Sequence, residues 1–134
     1  MKKIKVLIIS LIASLGLVSC GLMSFSTMDV TVFGQVTDNE GNPIDSIVVS
    51  LNILIDGYTI SAITAEDGTF TISEYGVPYV DILYLTARDF DGERNGGYFK
   101  EQTISGKLTL FEEGEDNHKG HFVCRDALIT LTKQ

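Results

Sequence analysis

The chain has 134 residues and a formal net charge of −8, one domain's worth of protein without room for a second core. Three of its ten basic residues, Lys2, Lys3 and Lys5, fall in the first five positions, so the 115 residues after position 19 set seven basic against eighteen acidic side chains and carry −11. A surface that acidic repels nucleic-acid phosphates and excludes nucleic-acid binding. Two cysteines, Cys20 and Cys124, are too few for a disulfide scaffold.

Residues 1–19 divide into three parts. The lysines form a positive start, residues 6–18 are almost wholly apolar, and Leu17-Val18-Ser19-Cys20 closes the segment. About 20 apolar residues are needed to span a bilayer as a helix. This segment is shorter and has the flanks of a helical signal peptide. Leucine, a β-branched residue, a small residue and cysteine resemble the lipobox of bacterial lipoproteins. The resemblance implies cleavage before Cys20, lipidation of its thiol and a membrane anchor of two or three acyl chains. Gly21 stands where a retention aspartate would sit, which points to the outer membrane of a Gram-negative cell envelope. Residues 20–28 are then the lipidated cysteine and a tether of small and polar residues, and residues 29–134 the folded domain.

From Asp29 the pattern changes to alternation. Val30, Val32, Gly34 and Val36 fall on every second position, as do Ile47, Val49, Leu51 and Ile53, then Phe70 and Ile72, then Val80, Ile82 and Tyr84, and finally Leu128 or Ile129 with Leu131. A period of two in Val, Ile, Thr and Tyr predicts strands buried on one face. Turn formers separate them: residues 38–43, Asp56-Gly57 as a tight hairpin, Glu66-Asp67-Gly68, residues 76–78, and two longer loops at 89–97 and 112–120. The prediction is an all-β, antiparallel Greek-key sandwich of seven or so strands.

Gly34-Gln35-Val36, Asp38, Gly41-Asn42-Pro43-Ile44, the apolar run 47–51 and Thr64-Ala65-Glu66-Asp67-Gly68-Thr69-Phe70 resemble the carboxypeptidase-regulatory-like (prealbumin-like) sandwich. The usual closing Gly-Tyr is replaced by Asp89-Phe90-Asp91-Gly92 and Asn95-Gly96-Gly97. With the lipobox and the chain length, that loop is similar to the radical-SAM-associated lipoprotein family. The resemblance implies a neighbouring radical-SAM maturase as a partner and no catalytic residues. Cys124 or a glycine of Gly96-Gly97 would be the modified position.

Asp89, Asp91, Glu93 and Asn95 supply oxygen ligands at alternate positions, which suits calcium, although the spacing departs from the EF-hand loop. The bland alternative is a solvated turn between strands. His118 and His121, three apart beside Glu112, Glu113, Glu115 and Asp116, could bind a transition metal, yet the segment reads as a polar loop. Ser46 fits a short O-glycosylation pattern, Asp45-Ser46-Ile47. Cys124 reads as a small buried residue, with a modified thiol as the alternative. Nucleophile-elbow, phosphate-loop, zinc-protease and Cys-x-x-Cys motifs are all missing from the sequence. The expectation is a non-enzymatic binding module for an envelope protein or glycan, using the two long loops and the aromatics Tyr98 and Phe99, with core packing an equal alternative for one of these two rings.

Overall fold

The computed structural model describes residues 26–55, 58–92 and 97–134. Eight strands follow one another: β1 (Thr27–Asp38), β2 (Ile47–Ile55), β3 (Tyr58–Ile63), β4 (Thr69–Pro78), β5 (Ile82–Asp89), β6 (Gln102–Lys107), β7 (Thr109–Glu113) and β8 (His118–Leu131). They form two four-stranded sheets, ordered β4-β1-β8-β7 and β3-β2-β5-β6. The chain passes between sheets after β1, β3, β4 and β6, so the apolar faces close on each other as a sandwich. The expected antiparallel pairing fails at one place, because β1 and β8 run parallel. They are the first and last strands, and the rest of the domain supplies the long connection that a parallel pair requires.

The alternation places the core. Val30, Val32 and Val36 of β1, Ile47, Val49, Leu51 and Ile53 of β2, and Phe70 and Ile72 of β4 are buried. On β8 the buried set is Ile129 with Leu131, while Leu128 is exposed. Residues 28 and 27 are already sandwich rather than tether: β1 starts at Thr27 and Met28 is fully buried. The motif threonine also has a structural role. Buried Thr64 donates its hydroxyl to the Ile44 carbonyl at 2.7 Å and accepts the Ile47 N–H at 3.0 Å, fastening the chain entering β2.

Three expectations are corrected. On β5 the core side chains are Leu83, Leu85 and Ala87, whereas Ile82 and Tyr84 are about half exposed. The chain bends between Val80 and Ile82, so the parity read from Val80 does not carry into the strand, and a one-residue offset reverses every side chain. Residues 76–78 are not a turn but the end of β4, where Gly76 takes a φ of 65° within a bulge. Residues 112–120 are not a long loop; β7 and β8 run to a short turn between Glu113 and His118. The signal segment with Cys20, the Asp56-Gly57 turn, and Glu93, Asn95 and Gly96 lie outside the described residues.

Candidate functional site

On the outward face of the β4-β1-β8-β7 sheet, two bulges gather side chains that ideal strands would keep apart. Histidines three apart on a regular strand point to opposite faces. Here the β1–β8 register shifts between Thr27 and Asp29, so that three residues of β1 lie beside four of β8. Gly120, at φ 127°, sits in that bulge, and a Cβ there would meet the Glu112 carbonyl at 2.3 Å. The slip lets both imidazoles reach β1: His118 Nε2 lies 3.1 Å from Asp29 Oδ1, and His121 Nε2 lies 2.8 Å from Thr31 Oγ1.

The second bulge lies between β1 and β4, where the register shifts between Met28 and Val30. There the Gly76 N–H donates to Asp29 Oδ1 at 2.9 Å. Desolvation pushes the Asp29 carboxyl up, but the Gly76 N–H, the His118 hydrogen bond and the charges of both histidines outweigh it and hold the group below its ordinary value. Thr31 Oγ1 also shares a 3.0 Å hydrogen bond with Ser73 Oγ across the β1–β4 pair. The rings of Tyr75 and Phe111 approach His121 edge-on, with centroids at 6.5 and 5.8 Å. Both aromatics remain open to solvent, 72% and 65% exposed. Further along the face, the Arg125 guanidinium lies 5.7 Å from the half-exposed Phe33 ring.

This arrangement is suited to recognising a ligand. The imidazoles and hydroxyls are fixed by neighbours, and the rings offer exposed apolar area beside them, a combination suited to polar ligands with flat apolar surfaces. Sequence reasoning singled out His118 and His121 but placed them in a loop and missed Asp29, Thr31, Ser73 and Tyr75. The outward alternation Asp29, Thr31, Phe33 was visible in the sequence, whereas the partners depend on register and bulges.

The remaining expected positions are dispersed. Asp89 accepts the N–H of Asp91 at 3.3 Å and of Phe99 at 3.1 Å, bracing the base of the 89–97 loop. Tyr98 is exposed, whereas Phe99 is buried and belongs to the core, the packing alternative open to one of the two rings. Ser46 is partly buried at φ 58°, with its N–H donated to the Thr64 carbonyl. Cys124 is buried; desolvation pushes its thiol above the ordinary range, the charge of Asp126 adds to this, and the Asp126 N–H only partly opposes it. A thiol so placed stays protonated at neutral pH and behaves as a small apolar group. Among the described residues no group of three or more His, Cys, Asp or Glu side chains could hold a metal ion.

No protein-family model matches the chain, and no curated protein matches it. Among solved structures it is similar to 3-chlorocatechol 1,2-dioxygenase from Rhodococcus opacus 1CP, at 14% identity and a TM-score of 0.52. The match covers 84% of this chain but only 62% of that one. At that identity the likeness shows the all-β sandwich architecture and nothing of the chemistry.

Proposed function

We propose that the chain is a lipid-anchored cell-envelope lipoprotein, attached through Cys20 to the outer membrane, whose β-sandwich is a non-catalytic binding module. The outward face of the β4-β1-β8-β7 sheet is its contact surface, and an envelope protein or glycan its partner. The observation that carries this reading is the pair of exposed rings, Tyr75 and Phe111, set on either side of a hydrogen-bonded His121. Exposed aromatics grouped around fixed polar groups mark interaction surfaces more often than solvated ones. Among the described residues, a buried, protonated Cys124 offers no activated thiol at the surface, and modification of that residue by a maturase would have to precede folding.

Two measurements test the proposal. Intact mass spectrometry of the protein from its native membranes should find an N-terminus at Cys20 bearing acyl chains; an unmodified or internal N-terminus overturns the anchor. Co-sedimentation with isolated envelope fragments should weaken roughly tenfold in Tyr75→Ala and Phe111→Ala, with the melting temperature unchanged. Unaltered sedimentation of both variants overturns the contact surface.

A further inference from the structure

A separate feature lies at the edge of the sandwich. The β7–β8 pairing begins at Thr109 opposite Val123, so from Cys124 onward no residue of β7 flanks β8. The gap is closed from the other sheet by β6, and a Cβ on Gly106 would meet Cys124 Sγ at 3.0 Å. A cavity of about 310 Å³ opens there, between Gly106 and Lys107 of β6, Leu110 and Phe111 of β7, and Cys124 and Arg125 of β8. Ser105 and Thr109 add hydroxyls to its wall, and Val123 adds apolar surface.

We propose that this cavity binds a small carboxylate with a short apolar body. Its volume is at the small end of ligand pockets, which run from about 300 to 1,000 Å³. Leu110, Phe111, Val123 and the protonated Cys124 thiol form an apolar surface without a nucleophile. The rim is cationic: Lys107 arrives from one sheet and Arg125 from the other, and Asp126 is the one carboxylate among the lining residues. That local excess of positive charge stands out on a chain whose net charge is −8. It selects an anionic head over a cationic one, because a cation would be repelled by two groups and attracted by one. Guanidinium and ammonium donors with adjacent hydroxyls suit a carboxylate. The site shares Phe111 and Arg125 with the outward sheet face but none of Asp29, Thr31, Tyr75 and His121, so its failure leaves the cluster around His121 standing as the proposed contact surface.

The test uses the full chain in lipid vesicles, with protein-free vesicles as the blank, and hexanoate, hexylamine and hexanol as probes. Saturation-transfer NMR should register hexanoate above the blank and find hexylamine bound at least roughly tenfold more weakly, the effect of reversing one charge-assisted contact. Lys107 and Arg125 are exposed, so Lys107→Glu and Arg125→Gln should fold normally; each should weaken hexanoate binding by roughly fivefold to tenfold. The proposal is overturned if hexanoate does not bind, if the three probes bind alike, or if both variants retain full affinity.

Discussion

Two three-member hydrogen-bond chains, one on the outer face of each sheet, have nearly the same geometry. On the β4-β1-β8-β7 sheet, His121 Nε2 meets the Thr31 hydroxyl at 2.8 Å, and Thr31 meets Ser73 at 3.0 Å. On the β3-β2-β5-β6 sheet, Asn52 Nδ2 donates to the Thr86 hydroxyl at 2.8 Å, and Thr86 meets Thr103 at 3.0 Å. The difference lies in what surrounds them. The first chain begins at a titratable ring flanked by two aromatics and lies next to the Asp29–His118 pair. The second begins at an amide that does not titrate. Apolar exposure alone does not separate the faces, since Ile63, Ile82 and Tyr84 are exposed on the second sheet. Nor does irregularity alone, since the β2–β3 register shifts between Leu51 and Ile55; what separates the faces is that the two shifts on the first sheet gather the His121 cluster.

The comparison breaks most visibly if the faces themselves are misassigned, and β5 is where that is tested. Leu85 is fully buried and Tyr84 half exposed. Leu85→Ala should cost about 2–5 kcal/mol in a denaturant titration, whereas Tyr84→Ala should cost less than about 1 kcal/mol. The reverse order would place Tyr84 in the core and remove the second outer face as a comparator.

The next effect belongs to Asp29. Asp29→Ala withdraws the acceptor of the Gly76 N–H and of His118, and should destabilise the fold by about 1–3 kcal/mol at neutral pH. Because the folded carboxyl is held below its ordinary value, its contribution is complete above the unfolded pKa, about 3.9, and is lost as pH falls through the folded one. The destabilisation relative to wild type should therefore shrink in acid. Asp38, held low chiefly by the Asn42 N–H, and Asp67, held low chiefly by the Thr69 hydroxyl, should keep an acid-sensitive component in the variant. A stability difference that stays constant from neutral pH into strong acid would show that Asp29 carries no such linkage.

How much of this was legible follows from the kind of signal each feature leaves. Strand identity on β1, β2 and β4 follows from period two with β-branched residues, and the buried sets match it. The β5 face was misread because Ile82, Leu83, Tyr84 and Leu85 are apolar at both parities, so alternation gives no choice between them. The Gly76 bulge and the β7–β8 turn use the same residue types as loops, and composition cannot say whether such residues interrupt a strand or end it. The His121 cluster is non-local: Asp29, Ser73 and His121 meet only through register across three strands. The parallel β1–β8 pair likewise joins the two ends of the domain, a contact that no local pattern encodes.

The smallest expected effect discriminates best between the faces. Thr31→Val and Thr86→Val remove the middle hydroxyl of each chain while keeping a β-branched side chain at a partly buried strand position. Each should lower stability by only about 0.5–1.5 kcal/mol, so the two variants should be hard to tell apart by melting. Proton NMR of the imidazoles should separate them. Thr31→Val removes the hydrogen-bond partner of His121 Nε2, and should therefore shift the His121 ring signals. Thr86 has hydrogen-bond partners on its own sheet in Asn52 and Thr103, so Thr86→Val should leave both histidines as they are. If both variants altered the imidazoles, the sheets would be coupled through the core and the two faces would not be independent surfaces. If neither did, His121 would be positioned by the Tyr75 and Phe111 rings rather than by the hydroxyl chain, and those rings would set the geometry of the contact surface.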